Sequence, residues 1–206
     1  MDMNDPITPN PHDRFVKLTF GRIPLARSFF AHHLPTDVLD EVDLDSLQLT
    51  KDSFIDAELR ESYSDLVFTA RQKNDADLIV YLLFEHKSRP DPTAALQMLR
   101  YVVRIYEQRQ RNRQSLCCVI PLVFYHGLEP WNVARGVEEL VEAPEALKRY
   151  VPRMPLVLFD LGRYSDDQLR GEALLRAQLL LLKYIMSREL PQQLPGIMQL
   201  LSELED

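Results

Sequence analysis

The sequence predicts an α/β fold: a mixed central sheet crossed by one long helix, with short helices before it and a helical tail after it. Three observations predict this. Residues 64–73 alternate apolar and polar, and after a turn residues 77–87 are apolar on both faces, the pattern of a hairpin whose second strand is covered on both sides. An apolar stripe at helical spacing, Ala95, Met98, Leu99, Val102 and Tyr106, marks a long helix from about Thr93 to Arg111. The apolar run Cys117 to Tyr125 reads as another buried strand. Strand, helix, strand implies a right-handed crossover, so this strand is expected parallel to the one at 77–87.

The elements follow in order. Pro11 opens a first helix at its first position, with Phe15, Leu18 and Thr19 as its inner face. A second helix is expected from Pro24 to about Leu34, and Thr36 caps a short third one. Leu47 and Leu49 alternate with polar neighbours and suggest a first strand near Ser46 to Thr50. Asn74-Asp75-Ala76 is the hairpin turn. Met154 to Leu161 adds an edge strand, Ser165 caps a helix, and the pattern from Leu169 to Leu204 is helical with interruptions at Pro191 and Pro195. The expected organisation is a disordered N-terminus over 1–10, one α/β domain over 11–163 and a helical extension over 164–206.

The formal net charge is -7, not the overall footprint of a nucleic-acid binder. A local basic stripe can still meet phosphates while carboxylates elsewhere hold a cation. The N-terminus has no basic and apolar signal pattern, and the apolar tract Ala177 to Met186, broken by Lys183, is too short to span a bilayer. Cys117 and Cys118 are adjacent and no C-x-x-C is present, which points to two reduced core thiols, no zinc site and a cytoplasmic protein with no membrane association.

The hairpin's own turn suggests a register. With the turn centred on Asp75, Leu66 faces Phe84, Phe68 faces Leu82 and Ala70 faces Val80, all apolar pairs. Asp65 then faces Glu85, and Lys87 shares their face. Two carboxylates directly opposite each other repel unless something positive lies between them. A divalent cation with oxygen ligands, Mg²⁺ or Mn²⁺, fits that need, and a lysine beside it can activate water or stabilise charge on a phosphate. A solvated strand end with an ion pair is the plainer reading of the same three residues.

Here the residues carry a resemblance. Tyr63-Ser64-Asp65-Leu66, Tyr81-Leu82-Leu83-Phe84-Glu85-His86-Lys87-Ser88 and Leu99-Arg100-Tyr101-Val102-Val103-Arg104 resemble the recombination-promoting nuclease family, whose members are often labelled transposases and which lies in the PD-(D/E)XK superfamily. His12-Asp13 with Phe15 and Lys17, and Leu59-Arg60-Glu61, are similar to that family too. The match covers about residues 12–130 and is weaker over the tail. It implies a restriction-endonuclease-like core and metal-dependent cleavage of DNA, linked to recombination or mobile elements. It carries Asp65 and Glu85 over as metal ligands and Lys87 as catalytic base or charge stabiliser. Asp13, on the first helix, is a further acidic residue that this superfamily often lends to the metal; its plainer reading is charge complementing a helix dipole. Many family members carry Gln at the position of Lys87, where this chain matches the wider superfamily, and Ser64 stands where the superfamily's Pro would be.

Gln97, Arg100, Tyr101 and Arg104 form a polar stripe on the long helix, and five arginines stand against one glutamate from Gln97 to Arg113. Beside a nuclease centre this stripe is expected to contact phosphates. His32 and His33 end a helix, where protonated imidazole interacts well with the dipole. His126 and Trp131 are expected to order a loop. Two rivals remain: a transposase with an RNase-H-like core, and a non-catalytic binding module on the same fold. Oligomeric state is left open, a homo-oligomer included.

Overall fold

The computed structural model describes residues 11–50, 66–85 and 89–202. Five strands form one mixed sheet in the order β1-β2-β3-β4-β5. They are β1 (Val42–Leu49), β2 (Leu66–Gln72), β3 (Asp77–Glu85), β4 (Cys118–Tyr125) and β5 (Val157–Asp160). The first two pairings are antiparallel and the last two parallel. Helix α4 (Ala94–Arg111) connects β3 to β4 as the crossover. This is the helix, mixed sheet and crossover arrangement expected of a restriction-endonuclease-like core.

The strands' period of two divides the core. Phe68, Ala70, Leu78, Val80, Leu122 and Phe124 belong to one apolar cluster with residues of α1 (Pro11–Phe20), α2 (Ile23–His33), α6 (Ala173–Tyr184) and α7 (Leu190–Ser202). Edge-to-face phenylalanines concentrate here: Phe29 meets Phe20 and Phe159, each at 4.9 Å between ring centres, an arrangement that adds about 0.5–1.5 kcal/mol per pair beyond burial. Val67, Ile79, Val123 and Tyr125 face the other way and pack with Ala94, Ala95, Met98 and Tyr101 of α4. Helices α3 (Thr36–Leu39) and α5 (Glu145–Lys148) are single turns.

Several expectations need correction. In α1 Thr19 is buried and Phe15 packs against the core as expected, but Leu18 is exposed and Val16 and Phe20 fill the inner face; Val16, Thr19 and Phe20 share the i, i+3, i+4 spacing of one helical face. β1 begins at Val42, four residues before the strand read from Leu47 and Leu49. Its alternation is hidden by a bulge: Asp43 pairs with Arg71 but Gln48 pairs with Thr69, and the Ser46 hydroxyl fills the gap by accepting the Arg71 amide. Pro195 does not interrupt the tail; it lies inside α7. Cys117 is half-buried and Cys118 exposed, so Cys118 is not a core thiol.

The hairpin register also differs. Leu66 pairs with Leu82, Phe68 with Val80 and Ala70 with Leu78, each partner two residues nearer the turn than expected. Arg71 pairs with Asp77, so the loop centres on Asn74. The Asn74 side chain accepts the Ala76 amide, and Asp75 takes the left-handed conformation at φ 69°, which Asp tolerates. A two-residue slip preserves every face assignment, because the side-chain period is two.

Candidate active site

Three parallel strands end together. Glu85, last in β3, pairs with Tyr125, last in β4, and Tyr125 pairs with Asp160, last in β5. The carboxyl edge of parallel strands is where ligands gather in open α/β sheets. Of the three residues proposed for chemistry, only Glu85 falls within the described strands, as the end of β3. Asp65 and Lys87 lie outside the described residues. The expected direct facing of Asp65 and Glu85 loses its basis, because the described ladder runs two positions away from it.

The edge is braced by Tyr125, Asp160 and Arg163, and by Trp131 in the loop after β4. Tyr125 is fully buried and its hydroxyl donates to the Glu129 carbonyl at 2.7 Å. Its ring meets Trp131 edge-on at 5.2 Å. The Trp131 amide donates to Asp160 Oδ2 at 3.2 Å, and Arg163 pairs with that same oxygen at 3.2 Å. Asp160 is therefore a buried carboxylate held by a backbone amide and a guanidinium. From the far side, Arg89 Nε donates to Glu129 Oε1 at 2.8 Å. His126 is buried and Trp131 is 3% exposed, so the loop after β4 is ordered around them. Only the parallel alignment of β4 with β5 brings Asp160 to this edge, and no spacing in the sequence signals it.

The polar stripe of α4 divides on inspection. Arg100 is exposed and Gln97 and Arg104 are half-buried. Tyr101, placed on the stripe by spacing, is instead 7% exposed and packs in the core, its hydroxyl accepting from Gln97 Nε2 at 3.1 Å. Arg109 is withdrawn altogether: it is 6% exposed, donates to the Ser115 carbonyl, and pairs with Asp77 at 2.6 Å. That guanidinium, hydrogen-bonded to Asp77, holds the Asp77 carboxyl below its ordinary range.

α1, which carries Asp13, packs on the Phe124 face of the sheet, whereas Glu85 holds a register position shared with Tyr125 and Ile79 on the α4 face. No described contact brings Asp13 to the carboxyl edge. His33 is not a dipole-stabilised cation: burial among Phe29, Phe159 and Tyr164 lowers its pKa to about 4, and its Nε2 lies 3.1 Å from the Arg170 carbonyl. Among the described residues no group of three His, Cys, Asp or Glu side chains is arranged to hold a metal, and no described helix is long and apolar enough to cross a membrane.

Comparison with known proteins gives a consistent family. Residues 10–206 match the model of the family described as "Putative transposase, YhgA-like". The chain is similar to the recombination-promoting nuclease RpnD of Escherichia coli O157:H7, with 32% identity over 89% of this chain and 71% of that protein. It is similar to the recombination-promoting nuclease RpnA of Escherichia coli strain K12, with 32% identity over 87% of this chain and 62% of that protein. It also resembles a protein of that strain named as the inactive recombination-promoting nuclease-like protein RpnE, 28% identical over 91% of this chain and 63% of that protein. The chain thus spans about two thirds of the length of these relatives. No solved structure matches.

Proposed function

The chain belongs to the YhgA-like transposase family, and from that premise we propose that it is a metal-dependent DNA endonuclease with Asp65, Glu85 and Lys87 as its reaction centre. The observation that carries the reading is the place of Glu85, at the end of β3 where three parallel strands finish side by side. The nuclease names of relatives covering most of the chain support it.

The donor chemistry fits a hard divalent cation, Mg²⁺ or Mn²⁺: Asp65 and Glu85 offer carboxylate oxygens. Thiolate donors are out of reach, because Cys117 and Cys118 stand at the opposite end of β4 from Tyr125, about 20 Å away along the strand. When bound, the cation supplies positive charge to phosphate oxygens and eases deprotonation of water. Lys87 then orients or deprotonates the attacking water, or stabilises charge on the phosphate. Gln97, Arg100 and Arg104 are the α4 residues proposed to hold the DNA backbone; Tyr101, buried, supports Gln97 from beneath.

Nicking of supercoiled plasmid by pure protein tests the reading. Cleavage is expected with Mg²⁺ or Mn²⁺ and none in excess EDTA; robust cleavage in EDTA rules the mechanism out. A second reading, a binding module on the same fold without turnover, is favoured by the relative named as inactive. It predicts DNA binding but no nicking under any metal.

A further inference from the structure

We propose that Arg163 is a phosphate contact at the carboxyl edge of the sheet, held in place by the buried Asp160 carboxylate; the inference rests on the DNA reading above. Asp160 ends β5 and is 4% exposed. Leu158, two residues earlier, packs with the α4-side cluster, so Asp160 shares that face. Tyr125, its register partner at the end of β4, belongs to the same cluster, and Glu85 holds the matching register position at the end of β3. The backbones at Asp160 and Glu85 are therefore two strand spacings apart, about 10 Å.

Part of the Arg163 guanidinium is anchored. Nε pairs with Asp160 Oδ2 at 3.2 Å, and Nη2 donates to the Trp131 carbonyl at 3.4 Å. The same carboxylate oxygen accepts the Trp131 amide at 3.2 Å, so one buried acid fixes both the loop and the arginine. The Arg163 side chain is nevertheless 53% exposed. Its bonds to described residues use Nε and Nη2, and both Nη1 donors remain for a further acceptor. A planar group already anchored loses less freedom on meeting a phosphate than one that swings. Its distance from the Glu85 position suits a phosphate a few nucleotides from the one attacked. Arg163 touches the DNA backbone, and Asp160 is a positioning residue that acts through it.

The test is a mutant cycle on the full chain: R163Q, D160N and the double variant. Binding to duplex DNA is followed by fluorescence anisotropy in EDTA over a range of salt, and melting temperature is read alongside. R163Q and the double variant should each lose about 1 from the slope of log affinity against log salt. The double variant keeps the parent's net charge and leaves no buried carboxylate unpaired, so neither overall charge nor misfolding accounts for its loss. D160N keeps the cation but releases it. Its slope should match the parent's while affinity falls about threefold to tenfold, although removing an acid would by charge alone tighten binding. A parent-like slope in the folded double variant, or tighter binding by D160N, overturns the proposal. A lowered melting temperature in R163Q with no change in slope does so too, because it leaves Arg163 a purely structural partner of Asp160. If the parent itself does not bind duplex DNA, the nuclease reading fails and the Arg163 contact falls with it.

Discussion

At its first residue β3 carries Asp77, a carboxylate that the fold neutralises: Arg109 pairs with it at 2.6 Å and Arg71 at 3.6 Å. At its last residue the same strand carries Glu85, among the ends of three parallel strands. The two acids look alike in sequence, each bounding an apolar run. What separates them is the crossover. Helix α4 returns its last turn to the start of β3 and delivers Arg109 there, buried to 6% exposure, whereas its first turn begins beyond the end of β3. An acid at a strand end is thus a structural ion pair at one end of the crossover and a candidate ligand at the other.

The sharpest way to break the comparison is to neutralise each acid separately. Glu85→Gln should lower metal-dependent nicking by at least about 100-fold, while stability in EDTA stays within about 0.5 kcal/mol. Asp77→Asn should leave nicking nearly unchanged. If both variants nick plasmid as the parent does, Glu85 is no more a ligand than Asp77.

Stability should respond in the opposite sense. Asp77→Asn leaves the Arg109 guanidinium buried beside a neutral amide, at a cost of about 1–3 kcal/mol in urea unfolding. Parent-like stability would mean that the Ser115 carbonyl alone satisfies Arg109.

Much of this division could be read in the residues, and part could not. The alternation of Leu66, Phe68 and Ala70 set the faces correctly, because face depends only on parity. Register depends on the turn, and the turn is decided by the Asn74 side chain and the left-handed Asp75, which hydrophobic pairing does not sense: apolar partners are available two residues either way. Arg109 shows the same limit. The sequence counts it in the basic run from Gln97 to Arg113, yet its partner Asp77 lies 32 positions away and is brought near only by the crossover. Asp160 was missed because its strand partner Tyr125 and its amide donor Trp131 lie far from it in sequence and are brought near only by the parallel pairing of β4 with β5.

Acid separates the two ends by pH window. Near the carboxyl ends of β4 and β5, His33 packs against Phe159, and its pKa is lowered to about 4 from an ordinary 6.5. The unfolded chain takes up this proton below 6.5 and the folded one not until about 4, so stability falls as pH drops through that window. Asp77, lowered from 3.8 by Arg109, contributes stability that is present above 3.8 and lost only as pH falls through its lower folded value. His33→Gln should flatten the stability profile between 6.5 and 4 and leave the more acidic limb intact. Asp77→Asn should do the reverse. Unfolding midpoints in urea across pH 3–7 supply the test, and coincident changes in the two variants would show that neither end titrates on its own.

The smallest effect concerns two arginines of α4, Arg100 and Arg104. Arg100 is exposed and Arg104 half-buried, while Arg109, on the same helix, is spent on Asp77. If Arg100 and Arg104 each neutralise one phosphate, changing both to Ala should reduce the slope of log affinity against log salt by about 2 for duplex DNA. The loss should be nearly equal for unrelated sequences, since phosphate contacts carry no base information. Asp77→Asn supplies the contrast: it removes one negative charge from the chain but frees no side chain for DNA, because Arg109 stays buried. Its slope should match the parent's. A slope unchanged by the double substitution would make the stripe an ordinary solvated helix face. A slope altered equally by Asp77→Asn would mean that net charge, not the position of two guanidinium groups on α4, governs the encounter with DNA.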